Sequence, residues 1–279
     1  MPDTQARFAS LQSGEVDVIW TDRGSSIRKG EADPNLVTIA KDGKGAKITF
    51  LNASKPPLDD KRVRQAISYA FNQQPGLTIT FKDTVPFATH PFGNASKCDS
   101  KYHFQDVKKA KALLDDYYNG GGKPISVEMI HTTTPRGRET GEIMQQLLKK
   151  VGIKMTLKPV DQNTLVKRVF TNNYQISGWR IADSNDVGPQ IFALSYSKSR
   201  YNLTRYKDKT LDKVSYGMRI AKTRAKRDAL QCKMAQMIND SAHMLYRGGN
   251  RYYVFTGKNV KGVSITSLGR VKVWDAWKE

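Results

Sequence analysis

Residues 125–179, ISVEMIHTTTPRGRETGEIMQQLLKKVGIKMTLKPVDQNTLVKRVFTNNYQISGW, decide the fold class. Ile125 to Ile130 is a short apolar run of strand character, followed by a loop from His131 to Gly137. From about Arg138 to Val151 the period changes: Ile143, Met144, Leu147 and Leu148 fall on one face of a helix, and Gly152 stops it. Ile153 to Leu157 reads as strand, Asn163 to Thr171 as helix, and Tyr174 to Trp179 as strand. The alternation strand, helix, strand, helix, strand predicts an α/β layer, with helices packed on a mostly parallel sheet.

Upstream, residues 4–13 have helical spacing and end at Gly14, after which Val16 to Trp20 reads as a buried strand. A polar segment, Gly24 to Gly30, precedes a strand at Leu36 to Ile39, a turn at Lys41 to Gly45, and a strand at Ile48 to Asn52. Pro56 and Pro57 make a connector, because each removes a backbone donor and fixes φ. Asp59 or Asp60 then caps a helix from about Lys61 to Gln74, with Val63, Ile67, Ala70 and Phe71 on its buried side. Residues 75–101 read as a long irregular wrap, and a helix from about Gln105 to Tyr118 follows. Downstream, a polar loop spans Ile181 to Tyr206, helices run from about Lys209 to Thr223 and Ala225 to Asn239, and Tyr252 to Phe255 is a strand.

The chain has 279 residues, 46 Lys+Arg against 26 Asp+Glu, and a formal charge of +20. With 38% hydrophobic residues it can build a core, which excludes a disordered tail, and no run approaches the roughly 18 apolar residues of a membrane span. Residues 1–60 hold 8 basic and 9 acidic side chains, and every later block is basic. The excess is spread along the chain. Even the densest run, Lys222 to Arg227, fits a solvated helix face better than a phosphate-binding patch. The N-terminus, Met1 to Thr4, carries no basic stretch followed by an apolar run, so no export signal is expected there. Cys98 and Cys232 have no metal-ligand spacing; two free buried thiols are the plainer reading, and one long-range disulfide in an oxidising compartment is the alternative.

Catalytic motifs are missing. His90, His103, His131 and His243 occur singly, there is no GxSxG elbow, and the run Asp42 to Lys47 lacks the frame of a phosphate loop. Neither a metal nor a cofactor is expected. The best candidate site follows the strand that ends at Trp179. Trp179, Arg180, Asp183 and Asp186 come at its C-terminal end, where ligands settle in open α/β sheets. An aromatic wall and a carboxylate suit a ligand with an ammonium group, whose burial requires a countercharge. The plainer alternative makes Trp179 core and the two aspartates caps of the next turn.

Two segments carry a family resemblance. RFASLQSGEVDVI (residues 7–19) resembles the R-x-x-x-L-x-S-G-E-V-D segment of the bacterial extracellular solute-binding proteins of family 5. PPLDDKRVRQAISYAF (residues 56–71) resembles that family's P-P-F-x-D-x-R-V-R-Q-A-I-x-Y-A signature. Asp106 to Leu114, Gln145 to Ile153 and Gly178-Trp179 follow in family order.

The resemblance implies the C-terminal part of a type II periplasmic-binding-protein-like fold. Residues 1–55 would be a remnant of the N-terminal lobe with a hinge strand, and 56–250 a ligand-binding α/β lobe with a mixed sheet and flanking helices. Residues 251–279 would be a return strand and tail. It implies further a non-enzymatic, periplasmic or cell-envelope component of an ABC importer that captures a peptide or similar small solute and delivers it to a membrane permease. In dipeptide-binding relatives an aspartate after the G-W strand holds the ligand amine and an arginine before the Q-x-L helix holds its carboxylate. The first resembles Asp183, with Asp186 as the alternative. At the second, His131 takes the matching position, with Arg136 and Arg138 nearby. The competing reading, of another class, is a basic domain that binds nucleic acid or another anionic surface.

Overall fold

A computed structural model describes residues 4–92 and 98–279. Met1 to Asp3, part of the terminus expected to lack an export signal, and residues 93–97, inside the expected irregular wrap, lie outside the described residues. In chain order the first elements are α1 (Thr4–Gln12), β1 (Val18–Thr21), α2 (Gly24–Ala32), β2 (Leu36–Leu51), α3 (Lys61–Ala70), α4 (Gln74–Ile79) and α5 (Val107–Asn119). They are followed by β3 (Ser126–Thr132), α6 (Pro135–Lys149), β4 (Lys154–Val160), α7 (Gln162–Phe170) and β5 (Ile176–Arg180). The chain then forms α8 (Gly188–Ser195), α9 (Lys209–Arg219), α10 (Arg224–Ser241) and β6 (Met244–Gly257), and closes with four two-residue strands.

Helix starts follow the side-chain chemistry of their caps. Asp60 accepts a hydrogen bond from the Arg62 N–H at 2.8 Å to open α3, and Asp106 accepts from the Lys109 N–H at 2.8 Å to open α5. Thr134, Asp161 and Thr223 do the same for α6, α7 and α10, each satisfying a donor the first turn would leave unpaired. On α3, Val63, Ala66, Ile67 and Ala70 are buried in a row, which packs the helix against α5 and the sheet. Arg64, buried on the same helix, donates to the carbonyls of Leu58, Asp59 and Ser241, tying the proline connector to the end of α10.

The six long strands form one sheet in the order β1-β6-β2-β5-β3-β4. β5, β3 and β4 are parallel, whereas β1, β6, β2 and β5 pair antiparallel. The sheet is mixed, and the expected parallel character holds only for its β5-β3-β4 end, because only those strands are joined through crossover helices. Burial divides by face. Beneath α3, α5 and α6 lie Leu51, Met129 and Ile176, in one buried cluster with Met144 of α6; on the opposite face, α7 to α10 cover Ile48, Phe50, Ile130 and Tyr246. The β1-β6 end is covered by Phe8 and Ile27 on one side and Ile265 on the other.

The structure departs from the sequence expectations in several places. Lys41 to Gly45 is no turn: β2 runs unbroken over 16 residues, with a register shift against β6 between Asp42 and Ala46. Gly43 and Gly45 lie so close to Asp183 and Ile181 that no Cβ would fit at either, so these glycines serve close approach of strands. β6 likewise extends over Met244–Gly257, well beyond the expected Tyr252 to Phe255, through a second bulge beside Gly248. The polar Gly24 to Gly30 segment is a helix, α2, whose Ile27 and Gly30 pack on the sheet, and the expected loop 181–206 contains the buried α8. α4 occupies part of the irregular wrap, and α3 ends at Ala70. Cys98 and Cys232 are not free thiols: they form a disulfide with Cα atoms 5.4 Å apart across 134 residues of sequence, a proximity that chain spacing does not reveal.

Candidate functional site

The C-terminal ends of β3 and β5 open at one edge of the sheet, next to the middle of β2 and the first turn of α6. Strand alternation assigns the side chains there to two faces. Ile176 packs under α6, so Gly178 and Arg180, two and four residues on, share its face. The register Lys47↔Arg180 and Thr49↔Gly178 adds Lys47 and Thr49, and Met129↔Ile176 adds His131. Arg136 stands in the first turn of α6, placed by the Thr134 cap.

A β-bulge supplies one more cation. Lys47 pairs with Gly248 and Ile48 with Tyr246, which leaves Arg247 as the extra residue. Its guanidinium turns over Gly178 and donates to the carbonyls of Ile48, at 2.9 and 3.1 Å, and Trp179, at 3.0 Å. Any side chain larger than hydrogen at position 178 would crowd it. Lys47 donates to the Gly249 carbonyl at 2.7 Å and lies over the Phe81 ring, 5.2 Å from its centroid.

These cations repel one another. Burial, then Arg136, and then Arg247 and Arg180 pull the Lys47 ammonium down to about 7, with Asp22 acting against them. Burial and Arg136 pull Arg247 down to about 10. The opposing carboxylate comes from the β1 end of the molecule: Asp22 forms an ion pair with Arg136, and the next residue, Arg23, reaches Glu139 one turn along α6 at 3.5 Å. Asp22-Arg23 therefore meets Arg136 and Glu139 in a charge-swapped double contact.

On the opposite face the candidates are engaged within the chain. Trp179 stacks on Phe50 with centroids 5.8 Å apart and meets Phe170 edge-on at 6.3 Å. Asp183 accepts from the Gly45 N–H at 2.6 Å, from the Asn250 amide at 2.9 Å, and from the Tyr252 hydroxyl. Burial, followed by that bond and the charge of Asp183, raises the Tyr252 hydroxyl well above its ordinary pKa. Asp186 accepts a hydrogen bond from the Gly188 N–H at the start of α8 at 2.8 Å and pairs with Arg227, on the wall of a polar groove of about 500 Å³ that Lys44, Asn185 and Thr223 also line. Arg138 is exposed on α6.

The structure thus collects His131, Arg136 and Arg180 on one face and sets Trp179, Asp183 and Asp186 elsewhere. Sequence reasoning missed Lys47, Asp22 and Arg247. The alternation Lys47, Ile48, Thr49, Phe50 in a strand could have marked Lys47, but nothing local marks Arg247, whose direction depends on the bulge.

The fold has known counterparts. The dipeptide-binding protein of Escherichia coli (strain K12) is 24% identical over 285 residues, 96% of this chain and 52% of that protein. A dipeptide binding protein from Pseudoalteromonas sp. SM9913, solved with Met-Leu, superposes with a TM-score of 0.86 at 16% identity, covering 100% of this chain and 57% of that one. The ABC transporter-associated periplasmic binding protein DppA from Helicobacter pylori, solved with the peptide STSA, gives 0.84 at 20% identity, covering 100% of this chain and 56% of that one. The chain spans about half the length of the curated relatives it matches. Residues 1–202 match the model of the family "Bacterial extracellular solute-binding proteins, family 5 Middle", and with that motif order, mixed sheet and strand-end site, the chain belongs to this family of solute-binding proteins.

Proposed function

We propose that this chain is the C-terminal, ligand-contacting part of a substrate-binding component of a peptide-type ABC importer, which captures a peptide or similar small solute and presents it to a membrane permease. The observation that carries this reading is the polar face at the ends of β3 and β5, where Arg136 of α6 faces Asp22 from the β1 end across a contact made of ion pairs. Such a contact, whose side chains all keep some access to solvent, can open and close at little cost, because ion pairs in contact with water contribute about 0–1 kcal/mol each. Residues 1–55 and 251–279 would belong to one lobe and 56–250 to the other, with the crossing strands β2 and β6 as the joint.

The reading is non-enzymatic, and it assigns His131, Arg136 and Arg180 to the ligand pocket, with Trp179 and Asp183 as supports of its floor. The disulfide favours an oxidising compartment, in line with a periplasmic or cell-envelope location. No helix among the described residues is long and apolar enough to cross a membrane. Calorimetric titration with di- to pentapeptides tests the proposal, run on this chain and on the chain joined to the N-terminal portion that its relatives carry. Saturable binding supports it, and absence of binding by the joined protein overturns it.

A further inference from the structure

Building on the solute-capture reading, we infer that the pocket selects ligands bearing two or more carboxylate groups, held by Lys47, Arg136, Arg180 and Arg247. Four cations from β2, α6, β5 and β6 converge on one face, and the carboxylates that reach them from within the chain are Asp22 and, one residue away, Glu139 on Arg23. Arg180 donates no hydrogen bond to a protein acceptor among the described residues, and Arg247 reaches only carbonyls, so neither charge is neutralised within the chain. Lys47 is likewise bonded to a carbonyl. Lys47 and Arg247, partly buried and crowded by Arg136 and, for Lys47, by the more exposed Arg180, are held there at a cost, which a polyanion arriving between the cations relieves.

The same structure disfavours a ligand led by its ammonium group. Asp183, the carboxylate placed to receive one, already accepts three hydrogen bonds from within the chain, in the loop that follows β5. The Asp22 carboxylate on Arg136 then stands where a ligand carboxylate would sit, and a bound ligand displaces it.

An acidic peptide and a small polycarboxylate share this chemistry, and titration of the full chain with tri-glutamate, tri-alanine, tri-lysine and citrate separates them. Tri-glutamate is expected to bind at least tenfold more tightly than tri-alanine. Arg180→Gln and Lys47→Met should each cut that ratio about fivefold, while Lys222→Gln, at an exposed cation between α9 and α10, leaves it unchanged. Asp22→Asn should raise affinity for the acidic probe by removing its competitor. Binding of citrate alone, lost in Arg180→Gln, supports the polycarboxylate class and counts against peptide capture. Equal binding of tri-alanine and tri-glutamate overturns the inference and leaves peptide capture standing; failure of all four probes overturns the inference as well. Circular dichroism of each variant establishes that a lost ratio is not a lost fold.

Discussion

The two faces of the sheet at the ends of β3 and β5 carry polar side chains of opposite fate. On one, Asp183 is surrounded by a backbone N–H, an amide and a hydroxyl, all donating to it, and Trp179 is packed between Phe50 and Phe170. On the other, Lys47, Arg180 and Arg247 outnumber the carboxylates within reach. A satisfied network rigidifies a fold, whereas an unbalanced one stores binding potential. Residue type alone does not distinguish them: aspartate beside a strand end is a ligand hook or a staple depending on which donors the fold brings to it.

Four measurements sharpen or break this contrast. The largest effect is expected on the satisfied side. Cys98 packs against the same core cluster as Trp179, and its bond to Cys232 spans a sequence separation of 134. In the chain-entropy view such a cross-link stabilises by up to about 5 kcal/mol. Replacing both cysteines by serine should shift the urea midpoint accordingly, and an unchanged midpoint removes the disulfide from the account of stability. Next, Asp183→Ala leaves the Gly45 N–H, the Asn250 amide and the Tyr252 hydroxyl without their acceptor and should cost about 3 kcal/mol. If chemical denaturation shows no loss while ligand binding disappears, Asp183 is a ligand group and the contrast between the faces fails.

On the unbalanced side, Lys47 provides a pH test. Its ammonium titrates near 7 in the folded chain and near 10.5 when unfolded. Between these values the unfolded chain holds a proton that the folded chain lacks, so stability contributed by this group rises from pH 7 to pH 10.5 and is constant outside that window. The groups facing it are Arg136 on α6, Arg180 on β5, Arg247 on β6 and Asp22 after β1. The difference between wild type and Lys47→Met should therefore change by on the order of 2 kcal/mol across the window, less than full conversion of the shift because the ammonium keeps some water. A constant difference contradicts the crowding of cations. The smallest effect concerns the helix that presents Arg136: Thr134→Ala removes the cap that accepts from the Gly137 N–H and should lower the stability by about 1 kcal/mol. A larger loss would mean that Thr134 also holds Thr132 in place through their hydroxyl contact at 2.8 Å.

Much of the fold was legible along the chain, for identifiable reasons. The α6 helix shows its 3.6-residue period in Ile143, Met144, Leu147 and Leu148, and the caps Asp60 and Asp106 act within three residues of their own position. Arg62 and Arg64 of the family signature prove to be local staples: Arg62 pairs with Asp60, and Arg64 ties the connector to α10. What failed was signalled by the same local rules. Asp42-Gly43-Lys44-Gly45 has every turn residue, yet β6 pairs along it and Asp183 fills the space a Cβ would need, so pairing overrides propensity. The hidden helices α2 and α8 are short, and their burial comes from distant partners.

The candidate residues read along the chain are only partly brought together by the fold. The strand-end location at Trp179 follows from topology, and His131, Arg136 and Arg180 lie on the face that opens there. The remaining residues come from separate parts of the chain: Asp22, Lys47 and Arg247 are up to 225 positions apart.

By itself the sequence determined the family and the alternation of helices and strands, because each of these is written in neighbours a few residues apart. The tertiary structure alone decided that the sheet is mixed, that Cys98 and Cys232 pair, that Asp183 is engaged by the fold and that Arg247 turns inward from a bulge. These depend on which strands pair and in what register, and a shift of one residue in that register sends a side chain to the other face.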